Sequence, residues 1–294
     1  MTCRPRIFHA RESWHPAAVP SPSARHQRAD GGVLARFTAV PRGAAPASLH
    51  QTAPLRLLLP DPEPDEVTTA ALLNIGGGLA GGDALRIGIT LEAAARLTIA
   101  TAAAEKIYRS LGPATRIAVD LAAGPEAALE WIPQETILFE AASLARTTIL
   151  RLAPGARLLA AETLVFGRAA HKEILATLAL HDAWRLHVGD RLVWADALRL
   201  SNDSALADRF RFGGAGALAT LLCVGPDPAA LLAILREALE GPARAAATQP
   251  APGVILARIL GEATAVRATL SAAIRALRPP LLGLPARLPR LWTC

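Results

Sequence analysis

Short runs in which apolar residues occupy every second position recur along this chain, roughly every ten to fifteen residues. The clearest run is Leu85–Leu91, where leucine and isoleucine alternate with arginine, glycine and threonine. Because successive side chains of a strand point to opposite faces, this pattern predicts a strand with one buried face. Many short strands separated by turn residues are typical of an antiparallel, mainly β body.

The other runs predict most of the remaining secondary structure. Asp30-Gly31-Gly32 resembles a hairpin turn, and we expect a loop over Arg244–Pro252. Further strands are expected at Val33–Val40, Pro54–Leu59, Leu97–Thr101, 117–121, Leu129–Ile132, Ile137–Phe139, Thr147–Leu152, Arg157–Phe166, Trp184–Val188, Leu192–Leu200 and Gly253–Leu260.

Two segments near the end of the chain have helical periodicity instead. Ala229–Leu239 follows Asp227-Pro228, a pair that suits a helix N-cap with proline in the first turn. Glu262–Leu277 carries an apolar stripe, and the following Pro279-Pro280 should end that helix. We expect no other helices.

The chain of 294 residues divides into a tail and one domain. Residues 1–24 contain prolines and arginines without any period, which predicts a disordered basic tail. Residues 25–294 have no internal repeat and no linker-like boundary. We therefore expect a mainly β fold, a single antiparallel β-rich domain that carries the two helices in its C-terminal region.

Composition excludes several classes of protein. Hydrophobic residues make up 52% of the chain, which rules out disorder throughout, and no apolar run approaches the ~20 residues of a membrane span. The net charge is +6, but arginines are spread singly and aromatics are scarce, so nucleic-acid binding is not expected. Three cysteines far apart and the lack of a secretory signal predict a cytoplasmic protein.

The densest glycine segment is Asn74–Asp83. Its glycines formally match the dinucleotide-binding fingerprint, but that fingerprint needs a helix afterwards, and the clearest strand follows here. A turn or a close backbone approach is the better interpretation. Asp83, at the end of the segment, could either accept hydrogen bonds from loop amides or face a partner.

Two acidic segments are candidates for chemistry. Glu130, Glu135 and Glu140 lie among strongly apolar residues, where a carboxylate is costly unless it is paired or binds something. The alternative is that they face solvent or pair with arginine. Glu173 belongs to a charged loop after Phe166-Gly167. No histidine has the spacing of a structural zinc site and no serine lies in a nucleophile elbow, which argues weakly against an enzyme.

Four segments, in order, resemble motifs of the UreD (UreH) family of urease accessory proteins. The similar segments are Asn74–Asp83, Ala100–Ser110, Leu129–Phe139 and Leu288–Thr293. The likeness extends from about residue 25 to the end. One departure is Lys172, which stands where the family's Gly-Arg-x-Ala-x-Gly-Glu turn has its second glycine.

The resemblance implies a β-rich, non-catalytic scaffold for nickel delivery. Such proteins bind apo-urease and UreF, and UreF recruits UreG. Ni²⁺ is thought to move through an internal tunnel, so the resemblance implies nickel in transit and no tightly bound cofactor. It also suggests that the C-terminal helices and 290–294 help to dock UreF.

Candidate residues for nickel transit follow from motif position and charge. Ni²⁺ accepts carboxylate, carbonyl and water oxygens, and a conduit has to release its ion, so separated carboxylates suit it. The candidates are Asp83, Glu135, Glu140 and Glu173. The alternative function is an all-β enzyme, such as a hydrolase, whose site is assembled from distant residues.

Overall fold

The computed structural model describes residues 27–293, except 62, 169, 170, 172, 174, 202 and 203. The predicted tail over 1–24, the departure at Lys172 and the last residue, Cys294, lie outside the described residues. Within the described residues, no helix has the length and apolarity needed to cross a membrane.

The described chain forms seventeen strands in two facing sheets. The strands are β1 Asp30–Val40, β2 Gly43–Thr52, β3 Leu55–Leu58, β4 Thr68–Asn74, β5 Ala84–Leu91, β6 Arg96–Thr101, β7 Glu105–Ile107, β8 Thr115–Ala123, β9 Ala128–Ile132, β10 Thr136–Leu138, β11 Ser143–Leu152, β12 Arg157–Phe166, β13 Ala179–Val188, β14 Arg191–Leu200, β15 Ala217–Val224, β16 Arg244–Ala251 and β17 Val254–Gly261. The mainly β prediction is confirmed.

The sheets are mixed, which corrects the expectation of an antiparallel body. The first sheet has the order β14-β13-β11-β8-β5-β1-β2, and the second has β16-β17-β15-β12-β9-β6-β4-β3, with β10 beside β12 and β7 beside β10. The central pairs β1–β5, β5–β8, β8–β11 and β11–β13 are all parallel. So are β4–β6, β6–β9 and β9–β12, whereas the outer pairs are antiparallel.

The parallel centre arises because the chain alternates between the sheets. β4, β6, β9 and β12 belong to the second sheet, and β5, β8, β11 and β13 to the first. Each crossover between these parallel strands therefore includes a strand of the opposite sheet in place of a helix, which gives a solenoid-like coil. Short loops and period-two runs are the same in such a coil as in an antiparallel body, so the sequence pattern did not distinguish them.

In-register stacking builds the core between the sheets. Leu85 pairs with Ile117, and Ile87 pairs with Val119, so equivalent positions of successive coils place apolar side chains in one interior column. A second apolar cluster lies on the other face of the second sheet and contains buried residues of both long helices. The cavity described below lies in the first of these layers.

The two predicted helices are confirmed. α1 is a single turn, Ser204–Ala207, which we did not expect; α2 covers Pro228–Ala238 and α3 covers Ala263–Leu277. The Asp227 carboxylate accepts the Ala230 amide at 3.0 Å, as an N-cap should. Pro279-Pro280 does not stop the rotation at once, because a π turn over Arg278–Leu282 follows and ends at Gly283 (φ 65°). A 3₁₀ turn over Arg290–Trp292 completes the described chain.

Two local predictions were wrong. Asp30-Gly31-Gly32 starts β1 instead of forming a turn, and Gly31 is needed because an added Cβ would overlap the Ala53 carbonyl. The predicted loop over Arg244–Pro252 is mostly strand β16, an edge strand that tolerates Pro250 because no described strand pairs with its outer side. β2, β4, β7 and β15 were not predicted.

Candidate functional site

A cavity of about 190 Å³ lies between the two sheets, and we call it the inner cavity. Its walls come from strands β3 to β12, so residues far apart in sequence meet there. One end is exposed and includes Gly77, Ala102, Ala103 and Lys106, and we call this end the mouth. The opposite end is buried and contains Trp131, Thr136, Arg146 and Glu162.

Three charged side chains close the buried end, and we call Arg146, Glu162 and Asp182 the Arg146 cluster. Arg146 donates from Nε and Nη2 to the two Asp182 carboxylate oxygens at 2.9 and 2.8 Å. Its Nη2 also lies 3.0 Å from Glu162 Oε2. The side chains come from β11, β12 and β13, so the coil brings them together across both sheets.

Glu162 has different partners at its two oxygens. Oε1 accepts hydrogen bonds from Trp131 Nε1 at 3.0 Å and Thr148 Oγ1 at 3.2 Å. Oε2 is buried without any hydrogen bond, although the Arg146 guanidinium is close. Burial raises the pKa of Glu162, and the charge of Arg146 offsets only part of that effect. Burial lowers the pKa of Arg146, but the Asp182 and Glu162 carboxylates outweigh it, so the net shift is upward.

A second, small cavity of about 10 Å³ lies on the other side of Glu162. This volume is about that of one water-sized probe. Glu162, Asp182, Asp196, Thr220 and Arg258 are among the polar residues that line it. An ion pair between Arg258 and Asp196 spans the two sheets there, and both side chains are one-third exposed. The Arg146 cluster therefore separates the inner cavity from the small cavity.

Glu105 is the carboxylate nearest the mouth of the inner cavity. Both of its oxygens accept from Asn74 Nδ2, at 3.0 and 2.9 Å, and Oε1 also accepts the Lys106 amide. Burial raises its pKa, which these hydrogen bonds and Lys106 partly offset. Asn74 Oδ1 in turn accepts the Gly76 amide at 2.9 Å, so the glycine segment and Glu105 are held together.

Asp83 accepts hydrogen bonds from backbone amides, which is one of the two roles that the sequence left open for it. Its carboxylate accepts the Ala29 amide at 2.8 Å and the Ala80 amide at 2.7 Å, and its side chain is buried. It does not line the inner cavity. Asp83 therefore fixes the end of the glycine segment to the start of β1.

Glu140 and Glu173 are neighbours, and both are bound by backbone amides. Glu140 accepts from the Ala176 and Thr177 amides at 2.7 and 3.1 Å. Glu173 accepts the Glu140 amide at 3.3 Å and makes a two-pronged ion pair with Arg168 at 2.9 and 3.0 Å. The hydrogen bonds from Arg168 lower the pKa of Glu173 to about 2.

An aromatic chain links this carboxylate pair to the glycine segment. Arg168 lies over the Phe139 ring at 4.6 Å, and Phe139 packs edge-on against Tyr108 at 5.0 Å. The Tyr108 hydroxyl donates to the Gly77 carbonyl at 2.9 Å. The motifs Asn74–Asp83, Ala100–Ser110 and Leu129–Phe139 are thus in contact with one another beside the mouth.

Glu135 and Glu130 both pair with arginine, the alternative left open from the sequence. Glu135 accepts from Arg267 of α3 at 2.5 Å. Glu130 is fully buried and accepts from Arg278 Nε at 2.9 Å, while Arg278 also binds Glu66 at 2.6 and 3.1 Å. Neither carboxylate lines the inner cavity.

Sequence reasoning missed the charged residues of the cavities. Glu105, Arg146, Glu162 and Asp182 were not singled out as candidates. Glu162 carried the strongest available signal, because it interrupts the otherwise apolar run of β12. Its partners belong to β11 and β13 and could be assigned only with the coil topology. Among the described residues, no group of three or more histidine, cysteine, aspartate or glutamate side chains is arranged to hold a metal.

Comparison with known proteins gives a consistent result. A family model described as UreD urease accessory protein matches residues 29–293. A Urease accessory protein UreD from Granulibacter bethesdensis is 50% identical over 238 residues, which cover 80% of this chain and 99% of that protein. Proteins of the same name from Magnetococcus marinus and a Methylobacterium species are 38% and 41% identical, over 94% and 93% of this chain and 98% of each relative.

Proposed function

The chain belongs to the UreD family of urease accessory proteins, and on that premise we propose that it passes Ni²⁺ toward urease through its inner cavity. The observation that carries the proposal is the placement of two carboxylates, of which Glu105 is partly buried and Glu162 is buried. Glu105 lies at the mouth of the cavity and Glu162 at its buried end, within an otherwise largely apolar interior.

The chemistry of these residues suits a transported ion. A divalent cation that leaves water needs compensating oxygen ligands, because desolvating its charge without them is very costly. Glu105, Thr101, Gln134, Thr136 and Glu162 supply carboxylate, amide and hydroxyl oxygens along the cavity. Single, separated ligands hold an ion weakly, which permits release.

The partners and the absence of catalysis are part of the same proposal. Membership of the family supports binding to urease-related proteins, and we infer that these are apo-urease, UreF and, through UreF, UreG. The role is non-catalytic and cytoplasmic, with Ni²⁺ as cargo and no tightly bound cofactor. In the described residues no observation favours the alternative of an all-β hydrolase.

The four carboxylates proposed from motif position become secondary candidates. Asp83, Glu135, Glu140 and Glu173 have intramolecular partners and lie outside the lining of the inner cavity. Glu140 and Glu173 support the mouth, so their contribution to nickel transfer would be through its shape. Glu105 and Glu162 become the primary candidates for Ni²⁺ ligands.

The test is to fill the inner cavity without removing a charge. Ile117 lines the cavity and Ile149 does not, so Ile117→Trp and Ile149→Trp form a matched pair. We expect Ile117→Trp to leave the complex with apo-urease assembled and to lower the nickel content of the urease severalfold, because the ring occupies the cavity. Ile149→Trp should leave nickel content normal. Normal loading with Ile117→Trp would contradict the proposal, provided that complex formation and the β-type circular dichroism spectrum are unchanged.

A further inference from the structure

The two cavities are separated by side chains and not by backbone. Glu162 lines both cavities, Arg146 lines the inner one and Asp182 lines the small one. A path from the mouth to the small cavity therefore crosses the Arg146 cluster. At that crossing, the guanidinium is the only cation among the three residues of the cluster.

The guanidinium is bound unequally by its two carboxylates. Asp182 receives two hydrogen bonds of 2.8 and 2.9 Å in the planar, forked geometry that arginine favours. Glu162 Oε2 is 3.0 Å away but has no hydrogen bond. The contact with Glu162 is thus the weaker one, and it leaves a buried carboxylate oxygen incompletely satisfied.

We propose that the Arg146 guanidinium occupies a cation site formed by Glu162, Asp182, Thr136 and Thr148, and that a divalent cation enters this site only when Arg146 moves away from Glu162. This inference rests on the proposed function, since it assigns a closed state to the same route. The guanidinium and a divalent ion exclude each other, because like charges repel strongly where water is scarce. Arg146 would thereby block the route until a cation arrives.

A purely structural ion pair predicts a different behaviour. In that case, removing Arg146 would only destabilise the fold, because two buried carboxylates would lose their counter-charge. In the proposed case, removing Arg146 vacates a site with two carboxylates and two hydroxyls, which are oxygen ligands that Ni²⁺ accepts. The variant should then gain affinity for the metal.

The experiment measures binding of Ni²⁺ alone to the purified full-length protein by equilibrium dialysis. Arg146→Gln removes the guanidinium, Arg146→Lys retains the positive charge, and a third variant combines Arg146→Gln with Glu162→Gln. We expect Arg146→Gln to bind Ni²⁺ at least about ten-fold more tightly than the wild type. Arg146→Lys should show no such gain, and adding Glu162→Gln should abolish it. A gain that survives Glu162→Gln, or none in a folded Arg146→Gln, overturns the proposal.

A second variant covers the case in which Arg146→Gln does not fold. Arg146→Gln with Asp182→Asn removes one positive and one negative charge, so the net formal charge of the cluster is unchanged. Glu162 then keeps its bonds to Trp131 and Thr148 and no longer has the Arg146 guanidinium beside it. A smaller gain in affinity is expected, again lost with Glu162→Gln, and the absence of any gain overturns the inference.

The binding result and the nickel-loading result can fail separately. If Ile117→Trp leaves urease loading normal, the route through the inner cavity is wrong, whatever Arg146→Gln binds. If Ile117→Trp lowers loading and Arg146→Gln gains no affinity, the route stands and the closure by Arg146 is wrong.

Discussion

Glu173 illustrates how a carboxylate can serve the site without facing the cavity. It accepts hydrogen bonds from the Arg168 side chain, the Arg168 amide and the Glu140 amide, and its side chain is only 11% exposed. Hydrogen bonds to the ionised form lower its pKa to about 2. The charge of Glu173 is therefore used to fix a loop next to the mouth.

This arrangement predicts an acid-dependent loss of stability. The pKa of Glu173 in the folded protein is below its ordinary value of about 4.3. The stabilisation that ionised Glu173 gives to the fold is therefore complete above that value and is lost as the pH falls toward 2. Glu173→Gln should lower the free energy of unfolding at pH 7 by about 1–2 kcal/mol, less than for a fully buried bond because Arg168 is 41% exposed. The free energies of unfolding of the wild type and Glu173→Gln, measured with urea, should converge as the pH falls from about 4.5 to 2.

The exposed Glu240 provides the matched control, because none of the described residues forms a hydrogen bond or an ion pair with its side chain. Glu240→Gln should track the wild type at every pH. A difference between Glu173→Gln and the wild type that stays constant on acidification would show that charge is not the cause.

At the residue scale, the sequence predicted which kinds of group each carboxylate could bind, but not which residue supplies that group. Asp83 was expected to bind loop amides or a partner, and the amides are its partners. Glu130 and Glu135 were expected either to bind something or, as the alternative, to face solvent or pair with arginine, and both pair with arginine. Which arginine was not predictable, because Arg278 is 148 residues from Glu130 and the contact depends on where α3 crosses the second sheet.

At the scale of elements, the C-terminal segment, residues 278–293, packs against the β-sheet part of the protein. Arg278 in the π turn is fully buried between Glu66 and Glu130. Trp292 is also buried, and its Nε1 donates to the Ile132 carbonyl at 2.9 Å. Trp292 therefore already has an intramolecular site, and the suggestion that 290–294 help to dock UreF stays a prediction.

Arg278 should accordingly contribute more to the free energy of unfolding than an arginine on the surface does. Arg278→Met leaves the buried Glu130 carboxylate without a counter-charge and leaves Glu66 with only Arg287, at 3.4 Å. We expect a loss of roughly 3–5 kcal/mol in the free energy of unfolding. Adding Glu66→Gln and Glu130→Gln should restore much of it, because the neutral trio has no charge to compensate. Urea denaturation of the three proteins measures this, and an equally unstable triple variant would contradict the explanation.

At the scale of the whole molecule, strand positions were predictable and strand partners were not. Period-two runs located β5, β8 and β11, because one face of each strand is buried and the other is more exposed. Largely apolar runs located β6, β9 and β12, which are buried on both faces. Partners depend on which sheet a strand joins, and the turn residues before β8 or β11 contain no such information. Edge strands β2 and β16 were missed because their largely exposed faces lack alternation.

The coil also predicts how stability is distributed. β8 and β11 lie in the middle of the first sheet with parallel partners on both sides, whereas β2, β14 and β16 are edges. Local opening needs the fewest broken contacts at edges, so amide hydrogens of β8 and β11 should exchange most slowly. Hydrogen exchange followed by mass spectrometry would test this, and equal protection of edges and centre would refute it.

The contact between Arg278 and Glu66 spans 212 residues of sequence and has a consequence for synthesis. Glu66 and Glu130 leave the ribosome long before the arginine that neutralises them, so the growing chain carries unpaired acidic groups at positions destined for the interior. We expect prematurely terminated products that lack 278–293 to stay loosely folded and to be removed by proteases. The buried acidic groups of the strands would then stay uncompensated until residues 278–293 have been synthesised and docked.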